Sequence, residues 1–126
     1  MAGTDLFPTI IKLARIKPPK DLTFDGVSLK PILLKGKNIK ERPIFWHFPA
    51  YLERYKAMTT IWRTTPASAI RLGDWKLIEF YEDSKIELYN LKDDPGETKD
   101  LSEINPEKKE ELYILLDNWR KEVNAP

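Results

Sequence analysis

The 126-residue chain has no cysteine and a single histidine. A disulfide framework, a thiolate metal site and a cysteine nucleophile are therefore excluded, and thiol usage says nothing of compartment. Charge of one sign is also missing: 21 Lys plus Arg stand against 20 Asp plus Glu, a formal net charge of +1. That balance removes the electrostatic argument for nucleic acid or an anionic membrane surface as partner. No apolar run approaches the roughly 20 residues that cross a bilayer. The first residues, Met1-Ala2-Gly3-Thr4-Asp5, lack the basic stretch and small-residue cleavage site of a secretory signal. The five glycines stand apart, so neither G-x-G-x-x-G nor a P-loop can be written and no nucleotide site is expected.

What remains is a composition with 41% hydrophobic and 33% charged residues, enough for one folded domain of this length. Thr4 or Asp5 can cap a helix over about 5–16, in which Leu6, Phe7, Ile10, Ile11, Leu13 and Ala14 make an apolar face wider than one stripe. Two readings of that breadth stay open: a helix central to its own core, or one whose cover lies elsewhere. Pro18-Pro19 and Asp25-Gly26 punctuate an irregular, apolar connection, with one helical turn expected near 31–34.

From Pro43 the period changes to two. Ile44, Trp46 and Phe48 fall on one face of a strand, Phe45 and His47 on the other. Residues 49–66 form a long connection with Tyr51, Arg54, Tyr55, Lys56, Trp62 and Arg63, residue types that stack on sugar rings and pair with anions, or that cover a core edge. Strands over 67–71, 75–81 and 86–91 follow, joined by turns short enough to require antiparallel pairing. Asn105-Pro106 opens a final helix to about 123, with Leu112, Leu115, Leu116, Trp119 and Val123 on its apolar side. The pattern predicts an α+β fold: a four-stranded antiparallel sheet packed against a long C-terminal helix, preceded by an N-terminal helix and irregular connection. The division expected is 1–42 and 43–126.

No catalytic constellation can be assembled from spacing. His47 has no Asp or Ser in its strand to work with, and hydrogen-bonded packing or a ligand contact are both open to it. Asp93, Asp94, Glu97 and Asp100 lack the alternating ligands of an EF-hand, and Pro95-Gly96 reads as a turn. No metal site is expected.

Four segments in order resemble the C-terminal portion of the sulfatase family, in its arylsulfatase and N-acetylgalactosamine-6-sulfatase branch. They are Thr4-Asp5-Leu6-Phe7-Pro8-Thr9-Ile10, then Asp25-Gly26-Val27-Ser28-Leu29, then Arg71-Leu72-Gly73-Asp74-Trp75-Lys76-Leu77-Ile78, and Glu87-Leu88-Tyr89-Asn90-Leu91 running into Asp94-Pro95-Gly96-Glu97. The resemblance implies the C-terminal subdomain of an alkaline-phosphatase-like enzyme that hydrolyses sulfuric esters of sugars or aryl alcohols. Its nucleophile is a formylglycine made within C/S-x-P-x-R, beside calcium. Ser68-Ala69-Ile70-Arg71 has the wrong spacing and no proline, so formylglycine and calcium are expected in the full-length enzyme and not here. The chain is expected to be inactive in isolation, to scaffold and shape the substrate pocket, and to partner a sulfatase catalytic domain. The broad face of the first helix is expected to drive self-association when that domain is missing. His47, Tyr51 and Arg54 are implied substrate-side contacts to a sulfated carbohydrate, His47 because Phe45-Trp46-His47-Phe48-Pro49 resembles a stretch leading toward the active-site mouth. The competing reading is a stand-alone carbohydrate-binding or interaction module. Family members are commonly periplasmic, secreted or lysosomal.

Overall fold

The computed structural model describes residues 2–52 and 64–125. The chain divides into two compact units, Met1–Glu41 and Arg42–Pro126.

In the first unit a single turn at Gly3–Asp5 runs into α1, Leu6–Ala14, and α2 spans Lys30–Lys35. Arg15, with φ 59°, turns left-handed and ends α1 two residues before the expected limit. Asp5 lies at the N-cap of α1 but makes no side-chain cap. Its buried carboxylate instead accepts from Ala2 N at 2.8 Å and from Val27 N at 2.9 Å. One turn on, the Thr9 hydroxyl donates to Asp5 O at 2.6 Å and accepts from Leu29 N at 2.8 Å. These bonds stitch 25–29 along the start of α1. Gly26 makes the close approach possible, since a Cβ there would lie 2.1 Å from Thr4 O. The unit is thus pinned by polar bonds at Asp5 and Thr9. Its apolar side chains stay largely outside, with Leu6 and Phe7 each 54% exposed and Ile10 59% exposed.

The second unit contains β1 (Ile44–Phe48), β2 (Ala67–Leu72), β3 (Trp75–Phe80), β4 (Ile86–Asn90) and α3 (Pro106–Glu122). The four strands form an antiparallel meander in the order β1-β2-β3-β4. Leu72 pairs with Trp75, and Gly73 takes φ 60° at the first central position of a two-residue turn, where a positive φ is required. Alternation sends Phe45, Ile70, Leu77 and Leu88 to one face, and α3 lies there. Ile70, Leu77, Leu88, Leu112 and Leu116 make the fully buried core, ringed by residues including Phe45, Trp75, Tyr113 and Trp119. Phe45 stacks on Trp119 with ring centres 4.7 Å apart. Val123 falls just past the helix and is exposed, so it does not extend the apolar side of α3. The outer backbone of β4 is occupied: Leu88 N donates to Asp100 and Leu88 O accepts from Leu101 N. Trp46 and Phe48 point from the opposite face of the sheet and are exposed.

Candidate functional site

The polar residues of the second unit converge at one end of the sheet, where β1 enters the connection to β2. Register places His47 opposite Ser68, and Ser68 opposite Glu79. All three therefore share the helix-facing side. His47 Nδ1 lies 2.8 Å from Ser68 Oγ and 3.1 Å from the hydroxyl of Tyr81, and those two oxygens are 2.5 Å apart. From α3, Arg120 Nη1 donates to the Tyr81 hydroxyl at 3.2 Å, and its guanidinium lies over the Tyr81 ring, 5.6 Å from the centre. The same nitrogen is 2.8 Å from Glu79 Oε2, a close ion pair outside hydrogen-bond alignment. Burial opposes the charge of Arg120, but the hydrogen bond to Tyr81 and the carboxylate of Glu79 outweigh it and raise its pKa above the ordinary guanidinium value.

His47 thus sits among groups that fix its ring, and its Nε2 is buried with no hydrogen-bond partner among the described residues. Ser68 beside His47 brings a hydroxyl to an imidazole, the first contact of a nucleophile–base pair. At 1% exposure, however, Ser68 cannot meet a substrate. Tyr51 is exposed and donates to Glu82 Oε1 at 2.8 Å, a bond that raises its pKa above that of a free phenol. Arg54 lies outside the described residues, as do Tyr55, Lys56, Trp62 and Arg63.

The acidic residues near the fourth strand have structural employment. Asp94 accepts from Thr98 N at 2.7 Å, Lys99 N at 2.8 Å and Thr98 Oγ1 at 3.1 Å, and these bonds, that from Lys99 foremost, lower its pKa. Asp100 accepts from Leu88 N, Ser102 N and Ser102 Oγ. Glu97 pairs with Lys76 at 2.6 Å. Among the described residues no three His, Cys, Asp or Glu side chains gather as a metal site.

Sequence reasoning singled out His47, Tyr51 and Arg54 as substrate-side candidates and gave no such role to Ser68, Glu79, Tyr81 or Arg120. The first two become visible once β1, β2 and β3 are set in register. Arg120 is brought in only by the packing of α3 across that face.

The second unit is thus a four-stranded antiparallel meander backed by one long helix, with polar residues of three strands and the helix gathered at one end. The family described as N-sulphoglucosamine sulphohydrolase, C-terminal, matches residues 1–123, and the chain belongs to it. It is a C-terminal sulfatase domain. A sulfatase of Formosa agariphila is 33% identical over 97% of the chain and 23% of its own length. Human N-acetylgalactosamine-6-sulfatase is 34% identical over 86% of the chain and 23% of its own length. Among solved structures, a protein in complex with its substrate D-glucosamine-2-N,6-O-disulfate superposes with a TM-score of 0.70 at 28% identity, covering 97% of the chain and 24% of that protein. The chain therefore spans about a quarter of the length of these relatives.

Proposed function

We propose that this chain completes an enzyme that hydrolyses sulfate esters of sugars, supplying a scaffold and one wall of the substrate pocket while the nucleophile and metal reside on a catalytic domain. The observation that carries the reading is the likeness, over 97% of the chain, to a protein solved with a sulfated glucosamine as its substrate. The catalytic domain is the partner for the exposed apolar side of α1, where Leu6, Phe7 and Ile10 have little cover. On the pocket side, Tyr51 and Arg54 orient the sugar from the connection after β1, and His47, whose Nδ1 is turned into the network with Ser68 and Tyr81 and whose Nε2 is buried, serves the substrate side by holding the strand end from which that connection leaves. Such contacts act by holding the ester near its attack geometry, so their loss falls on substrates that are held by the sugar.

The test uses a full-length sulfatase carrying this chain. His47→Ala and Tyr51→Ala are each measured on a sulfated sugar and on a small aryl sulfate. Catalytic efficiency is expected to fall on the sugar and to change little on the aryl ester. An equal fall on both would refute the substrate-side assignment.

A further inference from the structure

Tyr81 follows directly on β3, and its hydroxyl is reached from three elements: His47 of β1 at 3.1 Å, Ser68 of β2 at 2.5 Å and Arg120 of α3 at 3.2 Å. Its backbone acts in a different direction, because Tyr81 N donates to Pro66 O at 3.0 Å, at the end of the β1–β2 connection. The next residue, Glu82, accepts from the Tyr51 hydroxyl near the start of that connection, at 2.8 Å. Between them Leu52 N donates to Thr64 O at 3.1 Å and closes the neck. Both ends of the connection are thus tied to two consecutive residues, and those two residues are anchored through Tyr81 to the sheet and the helix.

We infer that Tyr81 is a positioning residue: its hydroxyl, joined to His47, Ser68 and Arg120, fixes the neck of the β1–β2 connection and so sets where Tyr51 stands toward substrate. The part of this inference that concerns substrate rests on the function proposed above, whereas the part that concerns the neck does not. A tyrosine serving only to fill the core would need its ring and not its hydroxyl, and a hydroxyl satisfying one buried partner would not need three. The arrangement links a buried network to an exposed segment, which is how distant packing controls geometry at a site.

Tyr81→Phe removes the hydroxyl while keeping the ring beneath Arg120 and the backbone bond to Pro66. In the chain itself, hydrogen exchange at the Leu52 amide is expected to rise by about five- to tenfold, the size of one lost hydrogen bond, relative to the Leu77 amide in the core. In the full-length sulfatase, KM for a sulfated sugar is expected to rise several-fold with kcat unchanged, and neither constant to move on an aryl sulfate. Unchanged Leu52 exchange, or a rise matched at Leu77, overturns the inference. So does a sugar KM that Tyr51→Ala raises and Tyr81→Phe does not. If Tyr81→Phe loosens Leu52 and Tyr51→Ala leaves the sugar KM unmoved, the clamp stands and the substrate-side reading of Tyr51 fails. Should Tyr81→Phe not fold, Arg120→Lys keeps the charge beside Glu79 and loses the fork, and the same two readouts apply.

Discussion

Replacing Gly26 with alanine would place a methyl carbon 2.1 Å from Thr4 O, 2.4 Å from Thr4 C and 2.7 Å from Asp5 N. All three are backbone atoms, so no side chain can swing away. Non-bonded heavy atoms need about 3.5 Å, and the two segments must part by more than about 1 Å. That movement stretches the Val27 N bond to Asp5 Oδ1 from 2.9 Å and the Leu29 N bond to Thr9 Oγ1 from 2.8 Å, both past the range of a hydrogen bond. A bond to a carboxylate contributes about 1.5–3 kcal/mol and a neutral one about 0.5–1.5 kcal/mol, so the expected loss is roughly 2–4 kcal/mol in the first unit. Hydrogen exchange at the Val27 and Leu29 amides should accelerate by roughly thirty- to thousandfold, while the Leu77 amide in the second unit keeps its protection. Gly3→Ala is the matched control, because nothing lies within 4 Å of its Cβ position. Gly26→Ala protein with Val27 and Leu29 as protected as before would refute the claim that backbone proximity at Gly26 holds this unit together.

Asp100 provides a pH test. Desolvation works to raise its pKa, but bonds from Leu88 N, Ser102 N and Ser102 Oγ overcome it and hold the carboxyl below the ordinary carboxylate range. A group whose folded pKa is depressed stabilises fully above its unfolded value and loses that contribution as pH falls through the folded one. Asp100→Asn should therefore cost about 1 kcal/mol at pH 7 by denaturant titration, with the deficit shrinking below about pH 4; a deficit that does not change with pH would sink the assignment. The exposed side of α1 should make the isolated chain self-associate as concentration rises, and Leu6→Lys with Ile10→Lys should weaken that association in sedimentation velocity. A chain that stays monomeric at millimolar concentration would count against it.

The strands were legible because alternation survives in them: Phe45 and His47 against Trp46 and Phe48, with Ile70, Leu77 and Leu88 each at an inward position. The helix starting at Pro106 was legible from its capping residues and apolar stripe. Asp5 shows the limit of such signals. Its position before an apolar helix reads as a cap, yet its carboxylate bonds to Val27, 22 residues away, because a buried carboxylate takes whichever amides the fold brings to it. The four segments that resemble sulfatases were readable as sequence, but the reason two of them belong together lay in that contact.

By itself, the sequence determined the element order, the antiparallel pairing of the strands, the two faces of β1 and the family. The first three follow from local period, turn chemistry and short-range pairing, and the family from the resemblance of four segments to the sulfatases. Tertiary structure alone decided that Ser68 and Tyr81 meet His47 and each other, that Arg120 bridges Tyr81 and Glu79, and that Tyr81 and Glu82 bond to the neck after β1. Those contacts cross 13 to 41 residues of chain, and no local period encodes a meeting made only when the helix closes over the sheet.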